Sequence, residues 1–568
     1  MESTPEAVTP TAMTGTDRSW LKRWLCWLLA PFALLLPLLV LAHSLFFGNR
    51  DALFYSNVLA LTSDALRSGH LYTRWFADAN ASMGSPVMMF YAPLAYIATA
   101  LMELPLAGLH LDLGTRFVLG IYASQVLCGV TAFIWLKRHF SLRTALIGSL
   151  LYVLLPYKFI YIYAQINLAQ LWALAFLPLW MLGAEKLIDG DGARASAIFA
   201  LAGAAVYYSH PLTVIAFGAV PICYTLWFAR HRPATWAWLA LACGLMAGLC
   251  LMLAWPQRQN LSWIHEEGFL TGKFGWRGNL YHVDTLLCAY YGIIAALAVL
   301  AVKRCRAIGD SAVAGPSLFW AGIVAAVFFM TMPWSAFIWE RVPILKYLQF
   351  PAARLHGAAL MAVVFLTCVW LEHYKKLMLI SPRVYWPPTL MALIALFGLA
   401  TAGRIYQLYT TYIVSLPYVD AIHAAHIIPP AEYKTYWGCV NAGHALDLYR
   451  AHTVPAPVTA GEGAVATLQE WRPPQRIAFT ADVKAAQADI TVRQCYVPAW
   501  KAFDSGKPVP LSAIAPDGLI QITLPQGLHT VEIRFMEGPP ESYARLASAV
   551  SLVLCLLLLV RRSRPPLL

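Results

Sequence analysis

Charged side chains are scarce in this chain. Asp, Glu, Lys and Arg make up 12% of its 568 residues, against 59% hydrophobic residues, and the mean hydropathy is +0.59. A soluble globular protein is excluded by that balance. Carboxylates are scarcest, with 29 acidic residues against 41 Lys and Arg and a formal net charge of +12. The basic residues fall mainly in short clusters between apolar runs, where they orient membrane helices, so the excess does not point to nucleic acid. There is no internal repeat and no low-complexity tract. Most of the 11 cysteines sit inside apolar runs, where a thiol acts as a small hydrophobe. Only Cys439 and Cys495 share a long polar segment, and they can pair if it faces an oxidising compartment.

Present instead are apolar runs of roughly 16 to 24 residues, long enough to cross a hydrocarbon core of about 30 Å as helices. The first, 24–47, follows Lys22 and Arg23 but is too long for a signal-peptide core and lacks a cleavage site. It reads as an uncleaved span after a cytoplasmic tail (1–20) whose first residues, 1–17, read as disordered. The basic clusters Lys22/Arg23, Lys137/Arg138/Arg143, Lys186/Arg194, Arg230/Arg232, Lys303/Arg304/Arg306, Lys375/Lys376/Arg383 and Arg561/Arg562/Arg564 are all expected on the cytoplasmic side. An even number of spans must then separate consecutive clusters. The runs pair as 144–157 with 168–184, 195–208 with 212–229, 235–254 with 284–302, 315–331 with 352–371, and 386–403 with 544–560. Three runs, 24–47, 88–109 and 115–136, lie between the first two clusters. Pro93, Glu103 and Pro105 cut the middle one, which is expected to lie in the outer interface, leaving about twelve spans with both termini inside.

The transmembrane domain thus runs over 21–403 with a long outer loop at 48–114 that carries Asp51, Asp64, His70, Arg74, Trp75, Asp78 and Asn80. A second outer segment, 404–543, has a different rhythm. Ile477, Phe479, Ala481 and Val483 alternate with polar residues, as do Ile520, Ile522 and Leu524, then Val531, Ile533 and Phe535. Period two means strands, and Pro525, Gln526 and Gly527 have the composition of a hairpin turn. The expectation is a β-sandwich-like domain followed by a final anchoring helix and basic tail at 544–568.

The segments RDALFYSNVLALTSDALRSGHLYTRWFADANASMGSPVMMFYAPL, LLPYKFIYIYAQINLAQLWALAFLPL, YYSHPLTVIAF and MTMPWSAFIWERVPILKYLQFPAARL follow in order along the chain, with YVPAWKAFDSGKPVPL and DGLIQITLPQGLHTVEIRF in the outer domain. On these, and on a first span ending in an acidic residue before a long outer loop, the chain resembles the GT-C class of integral-membrane glycosyltransferases, and more closely the bacterial membrane proteins described as 6-pyruvoyl-tetrahydropterin synthase-related. The resemblance implies residence in the bacterial inner membrane with the large loops in the periplasm. It also implies transfer of a sugar from a polyprenyl-phosphate carrier to a glycan, lipid or protein acceptor, with a divalent metal such as Mg or Mn as a cofactor candidate. Asp51 matches the acidic residue after the first span, the candidate base. An acceptor hydroxyl attacking an anomeric carbon must lose a proton, which a carboxylate in hydrogen-bond reach can take. The departing lipid phosphate needs a cation. Arg354 in QFPAARL is the candidate, with Lys346 and Arg341 behind it.

The likeness has departures: Tyr55 stands where a histidine is expected, and Tyr161, Gln165 and Gln170 where an aspartate, an arginine and a glutamate are expected. Neutral amides and a phenol are poor ligands for Mg²⁺ or Mn²⁺. Arg74, Trp75, His210, Glu266 and Glu267 complete the substrate-binding candidates. Each has a plainer reading beside it. Asp51 on spacing alone is a helix-terminal charge or a partner of Arg50. Asp64 and Asp78 read as solvated or capping, Asp64 lying three residues before Arg67 at helical pair spacing. His70 and His210 read as structural, and Trp75, Trp263 and Trp276 as an interfacial aromatic belt. Arg354 is hardest to reduce in this way, because it stands on the side where orientation does not call for positive charge.

Two other classes compete. A transporter or flippase is expected to show interrupted helices in a repeated arrangement and charges near mid-span, whereas here the charges gather at the outer ends. A non-catalytic membrane scaffold would keep the fold and shed the acids, as at Tyr161, Gln165 and Gln170. The topology is testable by itself: an epitope inserted near Gly108 is expected to be reachable from outside intact cells, and cytoplasmic exposure would overturn the twelve-span count.

Overall fold

The computed structural model describes residues 50–155, 158, 161–162, 166–260, 275–280, 311–380, 447, 450–515 and 517–561. Helix α1 (Arg50–Arg67) opens it. Every residue from Ala52 to Ser63 is buried, and the hydroxyls of Ser56, Thr62 and Ser63 donate to the helix's own carbonyls at Leu53, Val58 and Leu59. Such internal bonding lets a helix with polar positions be enclosed on all sides. The run expected in the interface is broken, as Pro93 and Pro105 require. A single turn, Val87–Phe90, gives way to extended Tyr91, then α2 (Leu94–Glu103), which tightens into a 3₁₀ turn over Leu104–Leu109.

The bundle continues with α3 (Leu113–Leu136), α4 (Leu142–Leu154), α5 (Leu168–Ile188), α6 (Gly192–Ser209), α7 (Pro211–Phe228), α8 (Pro233–Asn260), α9 (Ser311–Thr331), α10 (Pro351–Ile380) and, after the sheet, α11 (Pro539–Val560). Among the described residues seven helices are long and apolar enough to cross a membrane: α3, α5, α7, α8, α9, α10 and α11. The expected spans 24–47, 284–302 and 386–403 lie outside the described residues. Where the span 144–157 is expected, α4 is only 13 residues long and ends at Leu154, because Leu155 stands before Pro156 and is held extended. The alanine-rich α6 packs between α5 and α8. Gly183 admits it, since a Cβ there would lie 2.7 Å from the Phe199 backbone.

Contacts gather Arg138, Arg194, Arg232 and Arg561 at one end of the bundle. Arg138 pairs with Asp189 and, at 3.1 Å, with Glu185. Arg232 donates to the Ile188 carbonyl at 2.8 Å, Arg194 to the Arg561 carbonyl at 3.0 Å, and Ser141 to Glu372 at 2.8 Å. The sheet lies at the other end, where α11 begins.

The C-terminal domain is a seven-stranded antiparallel sheet. Its strands are β1 (Val458–Ala460), β2 (Ala464–Arg472), β3 (Arg476–Cys495), β4 (Trp500–Asp504), β5 (Lys507–Val509), β6 (Ser512–Ile514) and β7 (Leu519–Phe535). The expected hairpin at Pro525–Gly527 is absent. Those residues lie inside the 17-residue strand β7, which pairs with the 20-residue β3 along almost its whole length. Pro525 cannot donate to the ladder, Gly527 adopts φ +140°, and β3 shifts register between Val483 and Gln487 opposite them. The residues that read as a turn make a bend in two continuous strands. One half of the sheet runs β2, β3, β7, β4, β5 and the other β1, β3, β7, β6. The alternation read from sequence is kept: Ile477, Phe479, Ala481, Val483, Ile520, Ile522, Leu524, Val531 and Ile533 are all buried. Cys495 is disulfide-bonded, and Cys439, its expected partner, lies outside the described residues.

The bend also carries a titratable group. His529 Nδ1 lies 2.7 Å from Asp504 Oδ2 and Nε2 lies 2.8 Å from the Pro525 carbonyl. Burial alone would lower the imidazole, but the two acceptors and the Asp504 charge raise it above its ordinary value. A raised folded-state value means that the stabilisation is fully present below about pH 6.5, the ordinary imidazole value, and is lost as pH rises through the folded value. Hydrogen exchange of the β7 amides is therefore expected to quicken with rising pH more in the parent chain than in His529→Gln, after correction for intrinsic exchange.

Candidate functional site

Three helix ends meet at the sheet end of the bundle. α5 starts at Asn167, whose Oδ1 accepts from the Gln170 amide at 2.9 Å. α6 ends at His210 because Pro211 has no amide hydrogen to extend its ladder, and α7 begins there. α10 starts after Phe350, whose carbonyl accepts from the Arg354 amide at 3.1 Å. Two of these entries are strained. Ile166 and Phe350 take φ of 52° and 48°, a region that costs a β-branched or bulky residue of order 1–3 kcal/mol and recurs at functional sites. Gly357, one turn after Arg354, faces Leu174 on α5, where a Cβ would lie 3.3 Å from Leu174 Cδ2. Arg354, at the start of α10, reaches Gln170 at the start of α5 through its side chain.

Arg354 Nη1 donates to Gln170 Oε1 and lies 3.0 Å from His210 Nε2. A guanidinium has only donors, so Nε2 is the acceptor and the imidazole is neutral, its proton on Nδ1. That nitrogen lies 2.8 Å from Thr213 Oγ1, which accepts from it. Gln170 and His210 are buried, and Arg354 Nε is buried without a partner. Among the described residues no carboxylate lies within ion-pair distance of Arg354. Arginine stays protonated in proteins, so this is a cation held by neutral groups, a costly arrangement unless an anion joins it. Gln170 occupies a position where the resemblance expects a glutamate. With an amide there, Arg354 keeps its full charge for a ligand.

The other candidates separate from this cluster. Arg74 is buried and bound, 2.9 Å from Glu537 and 3.2 Å from the Met252 carbonyl, fastening the segment after α1 to α8 and the start of α11. Trp75 is neither at a membrane surface nor open to a sugar. It is 1% exposed, packs on Trp500 and Phe535, and donates through Nε1 to Gln494 at 2.6 Å. The plainer readings hold for Asp64, paired with Arg67 at 2.9 Å, and for exposed Asp78. Exposed His70 lies 2.8 Å from Gln475 Nε2. Trp276 is buried and stacks on Trp339 with ring centroids 6.2 Å apart, so it too leaves the interfacial belt. Lys346 and Arg341 are exposed, lying over the rings of Tyr347 and Phe337. The helix α1 includes Asp51, but the Asp51 side chain lies outside the described residues, as do Glu266, Glu267, Trp263 and Gln165. Tyr161 is fully buried, its carbonyl accepting from the Asn167 amide.

Among the described residues no three His, Cys, Asp or Glu side chains gather to hold a metal. The cluster itself does not fit Mg²⁺ or Mn²⁺, which prefer carboxylates and water, since it presents an amide, a guanidinium and an imidazole already used as an acceptor. Sequence reasoning singled out Arg354, His210 and Gln170 but missed that they touch. The available signal was positional: each stands at or within four residues of a helix end interrupted by Pro or capped by Asn.

Neither a protein-family model nor a curated protein matches the chain. The geometry makes one packing claim that can be checked. Gly357→Ala is expected to be tolerated within a few tenths of a kcal/mol, and Gly357→Leu to cost about 1–3 kcal/mol by crowding the Leu174 and Leu177 side chains, read as a lowered unfolding midpoint in detergent.

Proposed function

We propose that this protein is a membrane glycosyltransferase of GT-C type in the bacterial inner membrane, taking its sugar from a polyprenyl-phosphate donor at the outer face. The observation that carries this is Arg354, a cation at a helix end whose side chain is bonded, among the described residues, to neutral Gln170 and His210. A lipid phosphate is an anion that a membrane delivers to such a site. A guanidinium with an unpartnered Nε–H is suited to it because its planar donors match phosphate oxygens. Charge grows on that phosphate as the glycosidic bond breaks, so a preorganised donor acts most strongly in the transition state.

His210 has the role of holding the guanidinium. Its Nδ1–H is spent on Thr213 and its Nε2 accepts from Arg354, leaving no free lone pair for proton abstraction. The base is therefore assigned to Asp51, which follows the first expected span. The acceptor hydroxyl loses its proton to that carboxylate as the hydroxyl oxygen bonds to the anomeric carbon, and the lipid phosphate departs with the bonding electrons.

Glycan and lipid profiles of a deletion strain, compared with the parent, name the sugar through whichever product disappears. Complementation then tests the residues at matched membrane abundance. Arg354→Gln is expected to lower transfer by about 10²–10³-fold, and Gln170→Glu to lower it by pairing the cation internally. Asp51→Asn is expected to abolish it, and retained modification in that strain would remove Asp51 from the mechanism. An unchanged profile in the deletion strain would turn the assignment to a non-catalytic membrane scaffold.

A further inference from the structure

Lys158, between α4 and α5, is fully buried. Its Nζ lies 3.2 Å from Gln125 Oε1 and 2.8 Å from Cys128 Sγ, both on α3, and 4.5 Å from the centroid of the Tyr152 ring. Among the described residues no carboxylate pairs with it. An ammonium here would face an amide oxygen, a thiol and a ring, none of which neutralises it, at a cost of several kcal/mol. Intramembrane lysines are rare for this reason and mark function by default.

The amine is aimed at the sulfur. Gln125 Nε2 is spent on Ser124 Oγ at 3.0 Å, which turns Oε1 to Lys158, and the Tyr152 hydroxyl donates to the Leu174 carbonyl at 2.7 Å. The contact with sulfur is close by the standards of this same molecule: the hydrogen bonds of Cys128 to the Leu171 carbonyl and of Cys368 to the Thr144 carbonyl span 3.9 and 3.8 Å.

We propose that Lys158 and Cys128 are a modification site, joined covalently through a single oxygen atom in an N–O–S bridge that pins the segment between α4 and α5 to α3. The oxidant is dioxygen, an apolar molecule able to enter a dry helix interior. The O=O bond breaks, and one atom bonds to both sulfur and nitrogen. The thiol loses its hydrogen and the amine one of its two, and both leave with the second oxygen atom as water. Sulfur and nitrogen are each oxidised by two electrons, which accounts for the full reduction of dioxygen. The bridged nitrogen is far less basic than an amine, so the bridge also abolishes the unneutralised buried charge. It is independent of glycosyl transfer.

Mass spectrometry of the full chain, purified in air and digested without reductant, decides it. The expected result is a linked pair of peptides containing Cys128 and Lys158, with the summed mass plus one oxygen less two hydrogens. The pair gains the isotope difference when the protein is first reduced and then exposed to ¹⁸O₂. Dithiothreitol releases both peptides unmodified, and Cys128→Ser and Lys158→Met each abolish the pair. Recovery of both peptides unmodified after oxygen exposure, or of Cys128 oxidised alone, would overturn the bridge. Should a variant fail to accumulate, the ¹⁸O label in the parent chain still decides.

Discussion

The sheet and the helical bundle are held in register by one buried side-chain amide. Gln494, at the end of β3, is fully buried. Its Oε1 accepts from the Trp75 indole, and its Nε2 donates to the carbonyls of Ala77 at 3.2 Å and Ser82 at 2.9 Å. Beside it the Cys495 amide donates to the Met83 carbonyl at 2.7 Å. Between these anchors Asn80, Ala81 and Ser82 run consecutively in the left-handed region at φ 56°, 55° and 64°, which non-glycine residues take only when their surroundings over-determine it. Gly84, at φ +83°, leaves room where a Cβ would lie 2.5 Å from the Trp75 ring. Losing the Gln494 amide would leave an indole N–H and two carbonyls buried without their bond, each costing about 1–3 kcal/mol. The outer loop, the sheet and the helix ends beneath them depend on that group.

The same discipline over polar groups makes Arg354 conspicuous. Several buried charges among the described residues are paired: Glu103 with Arg116 at 3.0 Å, Glu185 with Arg138 and His139, Arg74 with Glu537. Hydroxyls at Ser56, Thr62 and Ser63 bond their own helical turns. Arg354, by contrast, has neutral side-chain partners among the described residues where three helix ends meet, and the proposed anionic ligand rests on that contrast.

The membrane class of the protein was legible in its composition, and among the described residues seven long apolar helices lie where apolar runs placed them. Pro93 and Pro105 broke the interfacial run as expected. Period two in Ile477–Val483 marked a true strand, but Pro525–Gly527 misled, because the same residue types make a hairpin and a bend, and only the partner strand decides between them. Arg354 was legible because the charge pattern of the sequence expects it on the side where orientation does not call for positive charge. Its union with Gln170 and His210 was not, since it joins side chains 184 and 144 residues apart in the chain. Trp75 and Arg74 were misread for a related reason: an aromatic and a cation in an outer loop look like surface chemistry until a domain some 400 residues later covers them.

The long strands β3 and β7 have a further consequence. Because each passes through the bend and serves both halves of the sheet, the domain has no internal seam along which it could be divided or recombined. A chain ending before Leu519 would strip β3, β4 and β6 of a neighbour at once, and it would lose the anchoring helix as well. Variation in this domain is therefore confined to its margins, at the short strands β1, β5 and β6, while the central pair must be inherited whole.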